Sequence, residues 1–365
     1  MEQPSEGQQN ESIGEVGQTA SSFDYSSSYT QNLPYLLKAL NISLVMTSYQ
    51  AGQVIVIRSD GERLDTDFKA FPRPMGLAVD EQRIVLGSWS QVLSYRRNDG
   101  LLSQPSRDGK ADACFVPAAS HVTGMINIHD IAWGDDGLWV VNSSFSCLAT
   151  LTPGYNFVPR WKPPFISELV AEDRCHLNGM AMKDGKPKYV STFNQSDSKG
   201  AWRHERRLDG TIIDVDSNEI LVDDLIMPHS PRYYRERLYF CESGRGLVHK
   251  FDPVSREKKV IANLQGFTRG LAFYGPLMFV GTSRTRKSER VSELPLNQEC
   301  DETIAGVWVI NLDDESIVGQ LVFDGDIEQI YDIAILQGSA FPELLLWDDE
   351  RVNNTFEFPL LTPCL

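Results

Sequence analysis

One short run recurs along this chain: a polar or charged opening, a small residue, an apolar strand-like stretch, then a turn. Its fullest copy is Arg174-Cys175-His176-Leu177-Asn178-Gly179-Met180-Ala181-Met182, followed by the alternating Lys188-Tyr189-Val190-Ser191-Thr192. Other copies are Arg73-Pro74-Met75-Gly76-Leu77-Ala78, His129-Asp130-Ile131-Ala132-Trp133 and His229-Ser230-Pro231-Arg232, then Arg269-Gly270-Leu271-Ala272-Phe273 and Tyr331-Asp332-Ile333-Ala334. The openers at 76, 130, 179, 231, 270 and 332 are spaced 54, 49, 52, 39 and 62 residues apart, about 51 on average. A strand-only repeat of roughly 40–50 residues, with a turn at a fixed offset, is the mark of a β-propeller. Gly134-Asp135-Asp136-Gly137 and Lys183-Asp184-Gly185-Lys186 occupy that turn position in two units.

A pair of β-sandwiches would not repeat one opener six times, and helical patterning is confined to about residues 33–40, which excludes α/β folds. The expected fold is therefore all-β: a single β-propeller over residues 29–365 behind a Gln/Ser/Glu-rich, disordered leader at 1–28. The block at 43–71 has no opener of its own and is expected to borrow a strand from the C-terminus. The runs 332–336 and 343–347 read as the start of a last unit, so seven blades are expected, with six as the alternative. Two insertions, 194–209 and 284–303, interrupt blades as surface loops or lids.

Composition narrows the function. With 41% hydrophobic residues among 365 the chain can bury a large core, and a formal charge of −16 argues against nucleic acid or an anionic membrane as partner. Six cysteines without a CxxC pair form neither a disulfide framework nor a zinc knuckle. The N-terminus has no apolar signal core, and no run of 18 apolar residues exists, so a soluble, cytoplasmic protein is expected. The seven tryptophans fall mostly in strands and read as core. P-loop, dinucleotide-binding, nucleophile-elbow and HExxH motifs are absent.

In a propeller, the loop before each innermost strand lies near the axis. The openers therefore bring together Arg73, His129 with Asp130, Arg174 with His176 and Asn178, His229 with Ser230 and Arg232, Arg269, and Glu328 with Tyr331 and Asp332. Of six histidines, His129, His176 and His229 hold equivalent places in three successive units, 47 and 53 residues apart. Converging neutral imidazoles suit zinc or a transition metal, with Asp130, Glu328 or Asp332 as further ligands or orienters. They equally suit acid–base groups beside an anion held by Arg174, Arg232 and Arg269. A third reading is structural: polar residues that only bond the inner strands or hold water. His121 reads as structural, with a fourth ligand as the alternative; His204 and His249 read as solvated; Asn142 and Asn194 either point to the top face or cap turns. Glu242 ends an apolar strand, where a buried carboxylate needs a partner, and it is a weaker candidate for the site.

The runs 128–142, 174–179, 227–232, 266–273 and Phe157-Val158-Pro159-Arg160-Trp161 resemble an uncharacterised bacterial family known as a domain of unknown function, over nearly the whole chain after about residue 23. The run Leu177-Asn178-Gly179-Met180-Ala181-Met182 is also similar to gluconolactonase and senescence-marker propellers, whose axial divalent cation is held by Glu, Asn and Asp; Asn178 matches, but histidines stand where those proteins lack them. Carotenoid-cleaving propellers, with axial iron on histidines from several blades, offer a second analogy. The resulting expectation is a metal-dependent enzyme. His129, His176 and His229 hold an Fe, Cu, Zn or Mn ion, Arg174, Arg232 and Arg269 hold a carboxylate-bearing small molecule or peptide, and Asp130 or Asp332 orients ligands or shuttles a proton. Iron or copper implies oxidative chemistry such as hydroxylation, and zinc a hydrolase or lyase. The alternative is a non-catalytic propeller that binds a peptide, protein or small ligand at the same face.

Overall fold

The computed structural model describes residues 23–103, 109–204, 209–285 and 293–358. Six antiparallel sheets radiate from the inner strands Asp332–Gln337, Pro74–Val79, Ile128–Gly134, Leu177–Lys183, Pro228–Tyr234 and Phe267–Tyr274, each opening on one of the recurring runs. We number these blades I to VI in that order. Each has a four-stranded core built outward from its inner strand, and the described residues form six blades rather than the seven expected.

Closure explains the difference. Asp332–Gln337 pairs antiparallel with Ile42–Ser48, from Ile42 opposite Gln337 to Thr47 opposite Asp332. The N-terminal block does borrow its inner strand from the C-terminus, and this completes the ring. The run at 343–347 starts no further blade: Pro342–Leu344 lies parallel to Ala113–Phe115 on the outer edge of blade II. A short apolar run has no intrinsic pairing preference, so Leu344-Leu345-Leu346 reads as blade core although it is an edge staple.

The N-terminal edge differs as well. Ser27–Tyr29 pairs with residues 321–323 and gives blade VI a fifth strand, so the end of the expected disordered leader is ordered. The Tyr25 ring packs 4.3 Å from that of Phe68. Residues 1–22 lie outside the described residues. The helix expected near 33–40 is present as Leu33–Leu40, with Leu33 and Leu37 buried in the core beside Phe279 and Phe323.

Five of the six inner ladders slip register just beyond the opener: between Pro74 and Leu77, Val140 and Asn142, Leu177 and Gly179, His229 and Arg232, and Thr268 and Leu271. A bulge leaves an extra residue unpaired and re-aims the side chains around it, here toward the axis. The inner strands also approach one another closely. A Cβ on Gly179 would lie 2.5 Å from Pro231 Cδ, and Gly270, at φ +79°, abuts the backbone of Ile333. Glycine is required at both places.

The core lies between blades. Val141 and Leu148 of blade III pack on Leu177, Met180 and Val190 of blade IV, all buried, and each such side chain contributes roughly 1.5–3 kcal/mol. Cys147 and Cys241 are buried reduced thiols, each pushed up to about 12 by burial. No helix among the described residues is long and apolar enough to cross a membrane.

Candidate functional site

The axial site is built by one repeated device. Ser143 at the end of a second strand donates its hydroxyl proton to the Leu177 carbonyl of the next blade (2.5 Å). Ser243 does the same to Thr268 O (2.5 Å), and Ser283 to Ile330 O (3.0 Å). In blades III and V a histidine fourteen residues earlier bonds that serine: His129 Nδ1 lies 2.7 Å from Ser143 Oγ, and His229 Nδ1 2.7 Å from Ser243 Oγ. Each Nδ1 is also 3.0 or 2.9 Å from the carbonyl of the residue two earlier, Asn127 or Met227. Both of those residues are left-handed (φ 52°), which turns the carbonyl onto the ring. Because each serine has already given its proton to a carbonyl, Nδ1 must be the donor. Nε2 is then a bare acceptor on a ring that lines a cavity, since the bonds each ring makes among the described residues are all at Nδ1. In blade VI, Arg269 takes the histidine's place ahead of Ser283.

His176 reaches the same state differently. Its Nδ1 donates to the buried Asp173 carboxylate (3.0 Å), which also accepts from Trp202 Nε1 (2.9 Å) and pairs with Arg203 (2.6 Å). The Trp202 ring lies 3.9 Å from that of His176. Two residues of the first insertion, Trp202 and Arg203, therefore line the axial chamber. Desolvation holds His129 and His229 well below the ordinary value of 6.5; His176 and Arg269 add to this at His129, and Arg269 at His229. His176 is also lowered by desolvation, against the pull of Asp173. All three imidazoles are neutral near pH 7.

The chamber above them has a volume of about 380 Å³ and is walled by Phe193, Trp202, Phe267, Met75 and Met227 among apolar groups. Arg73, Arg203, Arg269 and Arg284 supply its charge, and among the described residues no aspartate or glutamate lines it. Arg203 is committed to Asp173, and Arg284 to the carbonyls of Phe323, Asp324 and Gly325. The Arg269 guanidinium lies 3.5 Å over the Tyr331 ring, and the Arg73 guanidinium 5.2 Å from Trp89. Neither guanidinium makes a hydrogen bond or ion pair among the described residues.

Beneath the chamber lies a second polar layer. Asp130 accepts from Met180 N (3.0 Å) and Ile131 N (3.0 Å) and is clamped by Arg232 at 2.7 and 3.1 Å. Asp332 accepts from Leu77 N (3.1 Å) and Ile333 N (2.9 Å), with Arg232 at 3.5 Å. This network ties blades I to V together. Burial raises Asp332 to about 7 against the attraction of Arg232, and Asp130 pushes it further up. A void of about 10 Å³ separates the layers, room for about one water. Asn178 Nδ2 and Tyr331 Oη line it without a partner among the described residues.

The sequence-predicted residues thus divide. His129, His176, His229 and Arg269 meet at the chamber; Asp130, Asn178, Arg232 and Asp332 form the layer below. Arg174 is at neither: it is bound to Glu172 (2.9 Å), Asp197 (2.8 Å) and Ser167 (3.1 Å), away from the axis. Cys175 beside it is buried in the core between blades III and IV, and His176 is the residue of this opener that lines the chamber. His249, read as solvated, is buried, and its Nε2 meets Glu242 at 2.8 Å. That contact, with Arg245 at 3.0 Å, is the partner Glu242 required, and it lies off the site. His121 bonds Asn156 O at the surface and His204 is exposed; Asn142 and Asn194 bond turn N–H groups as caps.

Sequence reasoning missed Ser143, Ser243, Asp173, Trp202 and Phe193. For the serines a signal existed in the shared offset from His129 and His229. As for a metal, among the described residues no three His, Cys, Asp or Glu side chains are placed to hold one ion. His129 and His176 do stand edge to face at 4.6 Å between ring centroids, while Phe193 packs against both His176 (4.5 Å) and His229 (5.0 Å).

No curated protein matches this chain. It is similar to a chain in the crystal structure of a nidogen/laminin complex: 12% identity, a TM-score of 0.52, and coverage of 82% of this chain and 99% of that one. At that identity the likeness shows the fold alone. TolB from Acinetobacter baumannii aligns at 12% identity over 83% of this chain and 66% of that one, with a TM-score of 0.47. The sequence profile of a domain of unknown function, DUF4915, matches residues 31–345, the whole ring of blades, and the chain belongs to that family.

Proposed function

We propose that this propeller is a small-molecule enzyme whose axial chamber takes a substrate with a carboxylate or other anionic group. The supporting observation is the pairing of two guanidinium groups, Arg269 and Arg73, which make no hydrogen bond or ion pair among the described residues, with three fixed imidazole acceptors in one cavity whose described lining includes no carboxylate. In a chain of net charge −16 such a cavity is a local reversal of sign, and partly desolvated guanidinium groups bind carboxylates through charge-assisted hydrogen bonds. A neutral Nε2 held by its own Nδ1–H bond is an oriented general base. Arg232 belongs to the layer below and Arg174 lies off the axis, so the anion-holding role assigned to three arginines falls to Arg269, with Arg73 beside it.

The experiment is capture of metabolites from an extract by purified protein, read by mass spectrometry, beside an Arg269→Met variant. Anionic metabolites retained by the native protein are expected to fall at least tenfold in the variant. Retention of only neutral or cationic compounds, or no change in the variant, overturns the reading.

A second reading, a metal ion on Nε2 of His129 and His176, is favoured by the Nδ1 anchoring, which is how proteins orient imidazole ligands. A bound ion would supply a Lewis acid or, as iron or copper, a redox centre. Elemental analysis tests it: near-stoichiometric metal that disappears in His176→Ala is the expected result, and metal-free protein after reconstitution sinks it.

A further inference from the structure

The chamber's polar groups are of two kinds. Donors with charge to spare are Arg269 and Arg73. Acceptors without a donor are Nε2 of His129, His176 and His229, whose Nδ1–H bonds prevent them from turning. From these groups we infer that the substrate is a hydroxylated carboxylate of sugar-acid class, its carboxylate on Arg269 and its hydroxyl groups donating to the imidazoles. The inference rests on the proposed anionic-substrate reading and adds the other half of the ligand.

The physical argument is one of complementarity. A desolvated acceptor left without a donor costs roughly 1–3 kcal/mol. A plain carboxylate filling the cavity would leave up to three such acceptors unpaired. An ammonium would satisfy them, but among the described residues no carboxylate lines the chamber to balance it, and Arg269 stands beside them. Neutral O–H donors meet both conditions. Phe193 and Trp202 form part of the apolar wall beside His176, and about 380 Å³ suits a ligand the size of a sugar acid.

Three matched probes separate the parts by calorimetric titration. Glucuronate carries ring, hydroxyls and carboxylate; cyclohexanecarboxylate lacks the hydroxyls; methyl glucoside lacks the charge. Glucuronate is expected to bind at least tenfold more tightly than either of the others, and His229→Phe to bring it near the level of cyclohexanecarboxylate. If His229→Phe does not fold, His129→Phe serves, with melting temperature as the folding control. Equal binding of glucuronate and cyclohexanecarboxylate overturns the hydroxyl inference and leaves the anion reading standing. Equal binding of methyl glucoside and glucuronate, unchanged in Arg269→Met, overturns both, as does binding of none.

Discussion

An Arg232→Met variant is expected to lose about 3–5 kcal/mol of folding stability near pH 8, the usual cost of stripping the counter-charge from a buried ion pair. Asp130 and Asp332 are each only 3% exposed, and Arg232 is the cation that faces both. Backbone N–H groups from Met180, Ile131, Leu77 and Ile333 remain after the substitution, but they do not offset two like charges in one buried layer. The loss should itself depend on pH. A carboxylate with a raised folded-state value holds its proton more tightly folded than unfolded, so its contribution is present at low pH and lost as pH rises through that value. Asp332 is already raised to about 7, and without the guanidinium it rises further. The difference in stability between variant and native should therefore shrink between about pH 8 and pH 6, and Arg232→Met/Asp332→Asn should recover part of it at pH 8. Urea unfolding midpoints measure this. A loss below about 1 kcal/mol, or one independent of pH, would show that the clamp is not what holds the blades at the axis.

That layer also marks how far the sequence could be read. The recurring openers gave away the propeller, its axis and the residues that crowd it, because alternation and turn chemistry act within a few residues. Blade count was not local: it depended on whether 332–337 and 42–48 share one ladder, a pairing across almost the whole chain. The division of the axial residues into chamber and buried layer was equally out of reach. His129 and Asp130 are adjacent in sequence, yet the bulge at their strand sends one side chain up to the cavity and the other down to Arg232. Arg174 shows the opposite limit, since an opener's charge counts only if its side chain turns inward, and Glu172 and Asp197 hold it out. Buried polar pairs such as Glu242 with His249 have no periodicity, and only the fold reveals them.

The same neutral imidazoles that shape the chamber should make the protein acid-sensitive. For a base whose folded-state value lies below its unfolded one, the unfolded chain binds more protons once the pH drops below the unfolded value. Stability is then lost as pH falls from about 6.5 toward the folded-state values. The slope is about 1.4 kcal/mol per pH unit for each such group, so His129 and His229 together contribute about 3 kcal/mol per unit. His176 adds less, because Asp173 pulls it the other way. Asparagine keeps a donor near the place of Nδ1 and cannot titrate, so His129→Asn/His229→Asn should retain the carbonyl and serine bonds while flattening the slope. Unfolding free energies at about pH 7.5, 6.5 and 5.5 distinguish the cases, since background carboxylate titration is common to both proteins and cancels in the difference. Parallel curves for native and double variant would mean the imidazoles charge freely in the folded chamber. Their Nε2 atoms would then be donors rather than acceptors over the same range, and the demand for a hydroxylated ligand would disappear with the slope.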